Sequence, residues 1–526
     1  MSTLLPSIDL STLPPEARAA VEALIAENAA LTARTADLDE YVKRLEHLVK
    51  EYRHALYGKG SEKLTADQRQ LAFEDIEVAV AEIEDTGDAP DPAQDAPSKK
   101  RRPAKRNHGH LPEEFERITQ VIEPDSIDCP CGCGEMIRIG EDRSERLDIT
   151  PAQFQVIETV RPKYACRTCQ EGVHQAPAPA WLIEGAMPTE AMIAHVLVSK
   201  YADHCPLYRQ AQIYRRAGID LHRSTLAGWV GKAAAHLAPV VDQLAKHLKK
   251  STKLFMDETR APVLDPGKGR TKTGYLWALT RDDRGWGGND PPGVVYFYAP
   301  GRGGIHAEEF LDGFEGTLQI DGYTGYNRLA GRGRSNGPVR LARCWAHARR
   351  KLHDIFQKDG SPVAEEGLRQ IAEFYRIEAD IRGRSPDERR AVRQEKTKPL
   401  VEAFGKWLTS QRARISRKSR LGEKLTYIAN QWDDLQIFLD DGRVEIDSNA
   451  VENLIRPLAL NRKNALFAGH DEGGRAWGRI ASLIETAKIN GIEPFAYLAA
   501  TLKAIANGHP QSRIDELLPW NFQNAN

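Results

Sequence analysis

The sequence predicts a multidomain α+β protein, on three observations. A leucine heptad near the start reads as a coiled coil, and two cysteine knuckles separated by strand-like runs read as a small zinc-binding β module. Five short apolar runs then alternate with long helical stretches, the mark of a mixed sheet with helices around it. At 526 residues the chain is too long for a single core. The expected order is a coiled coil over 1–60, an acidic then basic linker over 61–110, the zinc module over 111–182 and a helix-turn-helix-like helical domain over 183–250. An α/β core follows over 251–355, with a helical insertion over 356–440, the rest of the core over 441–505 and a tail over 506–526.

In the heptad, Leu24, Leu31, Leu38 and Leu45 fall on one position, and Val21, Asn28, Thr35, Val42 and Val49 on the other. Leucine at d with β-branched residues at a favours two parallel strands, and a lone Asn at a fixes their register. A homodimer is therefore expected, the alternative being a helix folded back on its own protein. The linker ends in Lys99, Lys100, Arg101 and Arg102, a solvated arm that also suits sequence-independent contact with a phosphate backbone. Cys166 and Cys169 form a C-x2-C half-site; its partner is drawn from Cys129, Cys131 and Cys133, with Cys129 and Cys133 preferred for their spacing. Between Pro188 and Leu237, two helical stretches, a break at Gly218 and a third helix opened by Ser224 suggest a helix-turn-helix. Arg223, Ser224 and Thr225 would then lie near a DNA groove, whereas Trp229 is the safer assignment to the core.

Strand-like runs cover 253–257, 275–280, 294–298, 318–321 and 339–342. Three strands, a gap, two more strands and a late helix follow the order of a ribonuclease-H-like fold. Asp257 follows Leu254–Met256 and Asp321 follows Leu318–Ile320, each a carboxylate at the end of an apolar run. An Asp there ordinarily opens a turn; the recurrence is what suggests a site. A third acid comes from Glu445, Asp447 or Glu452, the last also explicable as a capping-box glutamate behind Asn449. Two strand aspartates with a helix glutamate suit a pair of hard divalent cations, Mg²⁺ with Mn²⁺ as a substitute. Arg349, Arg350, Lys351, Arg462 and Lys463 add the positive charge that a polyanion near carboxylates requires.

The formal net charge of −1 does not single out nucleic acid, so the local patches carry that expectation. No apolar stretch is long enough to span a bilayer, and seven cysteines, mostly clustered, favour metal binding in a reducing cytoplasm over a disulfide framework.

The words MDET, DGYTGYN, CWAHARRK and DSNAVENLIRPLALNRKNALFAGHDEGGRAWGRIASLIETAKINGIEPFAYL resemble the insertion-sequence-66 family of bacterial transposases, and the resemblance covers nearly the whole chain. It implies a ribonuclease-H-like catalytic core with Asp257, Asp321 and Glu452 as a DDE triad, and so decides among the three late acids. It also implies cleavage and joining of DNA at element ends, with terminal inverted repeats and target DNA as partners, small accessory proteins and a location at the bacterial nucleoid. A catalytically silent, dimeric DNA-binding descendant of such an enzyme is the competing expectation, and a nuclease without strand transfer is a third.

Overall fold

The computed structural model describes residues 153–165, 173–265, 270–331, 334 and 337–523, together with Val21 and Asn28. The chain divides at Val160 into two units. In the first, Val21 and Asn28 are helical and residues 153–160 carry no regular structure and are exposed. The rest of the heptad, Lys99–Arg102, and Cys129, Cys131, Cys133, Cys166 and Cys169 lie outside the described residues.

The second unit opens with a short antiparallel pair, β1 (Lys163–Ala165) and β2 (Val173–Gln175), whose connection spans the two cysteines of the C-x2-C half-site. Three helices follow: α1 (Glu190–Tyr201), α2 (Leu207–Arg216) and α3 (Arg223–Leu248). Thr189 caps α1 by accepting from the Met192 amide. α3 opens one residue earlier than Ser224 because His222 serves as its cap, Nδ1 accepting from the Ser224 amide at 3.3 Å. Arg223, Ser224 and Thr225 are exposed on its first turn, while Trp229 is buried.

The sheet comprises β3 (Lys253–Asp265), β4 (Arg270–Arg281), β5 (Gly293–Ala299), β6 (Thr317–Ile320) and β7 (Arg340–Arg343). Its order is β5-β4-β3-β6-β7, antiparallel from β5 to β3 and parallel from β3 through β6 to β7. All five apolar runs became strands, since burial is what the runs encode. β3 is longer than expected and continues past Asp257 to Asp265, because its second half, buried in alternation at Thr259, Ala261 and Val263, keeps its antiparallel partner β4 after β6 has ended.

Between β5 and β6 lies α4 (Gly304–Phe310). After β7 come α5 (Trp345–Asp359), α6 (Pro362–Ile381), α7 (Pro386–Val392), a π-helical turn over Arg393–Thr397, α8 (Lys398–Arg414), α9 (Arg420–Asn430) and the short α10 (Trp432–Leu435) and α11 (Ile437–Asp440). These helices have a core of their own, in which Trp345 meets Phe374 and Phe404 edge-on at 5.1 and 5.6 Å. The chain then returns to the sheet through α12 (Asn449–Ala465), α13 (Asp471–Ile489) and α14 (Pro494–Ala506). α13 covers the edge strand β5: Ser482 Oγ and Thr486 Oγ1 accept from the amides of Tyr296 and Val294 at 2.8 and 3.1 Å. A Cβ at Gly478 would fall 2.6 Å from the Tyr296 carbonyl oxygen, so a glycine is what lets this helix lie so close.

Candidate active site

The parallel register of β3 and β6 brings the two aspartates together. Lys253 pairs with Thr317 and Phe255 with Gln319; two residues further on, Asp257 is level with Asp321, on the same face of neighbouring strands roughly 4.8 Å apart. Across the other edge Asp257 pairs with Ala278, a small residue that leaves room above it. Asp321 is the first residue beyond β6, and its Oδ1 accepts from the Tyr323 amide at 2.8 Å, fixing the turn. Arg343 holds the same turn from below, donating to the Asp321 carbonyl at 2.6 Å and to Asn327 Oδ1 at 2.8 Å.

Glu452 arrives on the first turn of α12, which packs on β3 and β4 and is anchored by the Tyr296 hydroxyl donating to the Leu454 carbonyl at 2.6 Å. The helix begins at Asn449 itself, with Ser448 as the flanking residue. Glu452 therefore sits one place beyond the capping-box position, and its Oε1 accepts from Ser448 Oγ at 3.1 Å where the sequence suggested a backbone amide. Its Oε2 lies 3.5 Å from Arg350 Nη2. Asp257, Asp321 and Glu452 are all half-buried. Burial, then Asp321, Glu258 and Glu452 in that order, hold the Asp257 carboxyl well above the usual carboxylate range.

The competing late acids are otherwise engaged. Glu445 takes two bonds from Arg389, at 2.9 and 2.8 Å, which hold its carboxyl below the usual range despite burial. Asp447 accepts from the Asn449 amide at 3.1 Å, and burial pushes it up to about 6. Glu452 is among the charges that raise the Asp257 carboxyl.

Glu258 escaped sequence reasoning, although its adjacency to Asp257 in MDET was a signal, and its charge acts on the Asp257 carboxyl. Its Oε2 accepts from the Tyr326 hydroxyl and its Oε1 from Arg302 Nε, both at 2.6 Å. Burial and Asp321 still push it up to about 7.

The basic residues divide. On α5, Arg349, Arg350 and Lys351 are half-buried; Arg350 reaches Glu452, and Lys351 lies 5.3 Å over the Tyr427 ring. Arg462 is tied to the Arg260 carbonyl, whereas Lys463 is exposed. Arg334 and Arg343 are buried and spend their guanidiniums on backbone carbonyls and loop side chains.

The chain is thus a mixed α/β protein whose central parallel strands carry a cluster of half-buried carboxylates, a donor set suited to hard divalent cations. Comparison with known proteins gives the family. Residues 185–476, more than half of the chain, match the transposase IS66 family, and residues 482–520 match the IS66 C-terminal element. Residues 127–170 match the zinc-finger binding domain of transposase IS66, and residues 44–119 match a model described as transposase C of IS166 homeodomain. An uncharacterized protein of Sinorhizobium fredii (strain NBRC 101917 / NGR234), y4qI, is 42% identical over 96% of this chain and 94% of its own length. Another from that strain, y4jD, is 42% identical over 94% of this chain and 98% of its own length. The chain belongs to the IS66 transposase family. Among the described residues no helix is long and apolar enough to cross a membrane.

Proposed function

We propose that this chain is a DDE transposase that nicks DNA at the ends of its element and joins the freed 3′-hydroxyls to target DNA. Asp257, Asp321 and Glu452 would be its triad, on a ribonuclease-H-like core. The observation that carries this reading is the β3–β6 register, which sets Asp257 level with Asp321, joined by the action of Glu452 on the Asp257 carboxyl. The sheet order, three antiparallel strands continued by two parallel ones, supports the core assignment.

Burial first, and then the neighbouring carboxylates, lift the Asp257 carboxyl, and a bound divalent cation would offset both, so the donor set fits Mg²⁺ or Mn²⁺. Two such ions, when bound, supply activation of the attacking water or hydroxyl and stabilisation of the leaving 3′-oxygen. The protein's own part is to hold three carboxylates half-open to solvent on rigid elements. Arg343 fixes the backbone of Asp321 and Ser448 orients Glu452. Arg349, Arg350, Lys351 and Lys463 would meet phosphates near the cut, and Arg223, Ser224 and Thr225 would bind the element end. In the N-terminal part, Cys129, Cys133, Cys166 and Cys169 would hold a structural zinc, with Cys131 able to replace one of the first pair. The heptad would pair two subunits so that two ends can be joined.

The test is strand nicking and transfer on labelled element ends in Mg²⁺. Wild type should nick and join. Asp257→Asn should lose nicking by on the order of 10⁴-fold while retaining end binding; cleavage surviving in that variant would remove Asp257 from the triad.

A further inference from the structure

Beside the carboxylates lies a second set of donors of different chemistry. Cys344 flanks the start of α5 and His347 stands three residues later, so both rest over one turn, while Glu452 enters from α12. The Cys344 sulfur, a His347 ring nitrogen and a Glu452 carboxylate oxygen all lie within 4.8 Å of one another. His347 Nδ1 is buried with no hydrogen-bond partner, 3.5 Å from Glu452 Oε1. A buried polar atom left without a bond costs roughly 1–3 kcal/mol, so an orphaned ring nitrogen aimed at a thiol and a carboxylate calls for a ligand. Cys344 Sγ accepts from the Ser448 amide at 3.3 Å and from the His347 amide, weak bonds that leave sulfur lone-pair density for a metal. Thiolate, imidazole and carboxylate together are the chemistry of zinc and its neighbours, unlike the all-oxygen sets that Mg²⁺ takes, and three protein ligands leave a fourth position open.

We infer that Cys344, His347 and Glu452 form a binding site for a Zn²⁺-class ion, and that its occupancy withdraws Glu452 from Asp257 and Asp321. Binding exchanges one proton for the metal: the Cys344 thiol releases its proton to solvent as the sulfur–metal bond forms, and the neutral imidazole and the carboxylate donate without change of oxidation state. A Glu452 carboxylate drawn onto zinc would be less able to share an ion with Asp257 and Asp321, so zinc would hold cleavage off until it is removed. The regulatory half of this inference rests on the proposed function; the binding half does not.

The experiment uses the full chain with its zinc module already loaded, to which Co²⁺ is added as a spectroscopic probe and Zn²⁺ as the competing ion. A thiolate-to-cobalt charge-transfer band should appear for one further equivalent of metal. It should be lost in Cys344→Ser, and affinity should fall on the order of a hundredfold or more in His347→Gln, since losing a direct ligand costs at least as much as losing its supporting partner. Cys344→Ser keeps the acceptor for Ser448, and His347→Gln covers the case in which that buried change unfolds the protein. Asp257→Asn should bind the extra ion unchanged, because Asp257 is no ligand to it. In nicking assays in Mg²⁺, added Zn²⁺ should inhibit wild type, with the inhibition relieved in His347→Gln. No further band, or one equally strong in both variants, overturns the site; zinc inhibition that persists undiminished in His347→Gln overturns the switch. Wild type that binds the extra ion yet never nicks DNA would count against the transposase reading alone.

Discussion

Two clusters of buried charge in this protein are built on opposite plans. In the helical region, Arg389 and Arg393 are almost wholly buried, yet each guanidinium is paired with a carboxylate. Arg393 binds Glu378 at 2.8 and 2.7 Å and the carbonyls of Phe438 and Val444 at 2.7 and 2.9 Å, while Arg389 grips Glu445. At the sheet, Asp257, Glu258, Asp321 and Glu452 crowd together with Arg302 and Arg350 as the guanidiniums that reach them. The first cluster locks the segment leading into α12; the second leaves negative charge in excess. Charge that serves architecture is balanced on the spot, whereas charge that awaits a cation is left unbalanced at some cost in stability.

The sharpest way to break this contrast is to neutralise one member of each cluster. Asp257→Asn, which should abolish nicking, should at the same time raise the melting temperature of the metal-free protein by about 2–4 °C, roughly 1 kcal/mol in a domain of this size. Arg393→Met should do the reverse in thermal melts or urea titration. It leaves Glu378 in the core with the longer 3.4 Å contact from Arg389 and should cost roughly 3 kcal/mol, with nicking lost only as far as folding is lost.

A smaller effect follows from pH. Glu258 is pushed up to about 7 and Asp257 is also raised, so the folded chain holds protons that the unfolded chain gives up. Their contribution is full below the ordinary carboxylate value and is lost as pH rises through the raised one, roughly 3 kcal/mol for Glu258. Glu445 has the opposite sign: its share is present above its ordinary value and lost as pH falls through the lowered one. Urea titrations with a chelator from about pH 5 to about pH 8 should therefore show falling stability, and Mg²⁺ should flatten the slope. A slope unaffected by Mg²⁺ would separate the acids from any cation.

Much of this was legible beforehand for a physical reason. Runs buried on both faces are apolar throughout, so all five strands could be read, and the two aspartates stood out as charges at their ends. The continuation of β3 was not legible, since its buried residues Thr259, Ala261 and Val263 alternate with Arg260 and Pro262 and form no continuous apolar run. Nor was the fate of the arginines: Arg334, Arg343, Arg389 and Arg393 look like solvated charges in sequence and are buried in the fold. Choosing Glu452 over Glu445 rested on family resemblance, whereas the physical reason, Arg389 beside Glu445, comes from a helix far away in the chain. The orphaned nitrogen of His347 had no sequence signal beyond the C-x2-H spacing in CWAH.

The most direct test is anomalous diffraction from Mn²⁺ in crystals of the full chain bound to an element end. Two anomalous peaks bounded by the carboxylates of Asp257, Asp321 and Glu452, next to the scissile phosphate, are the expected result. Manganese bound elsewhere, with those three carboxylates bare beside correctly seated DNA, would contradict the account at its centre.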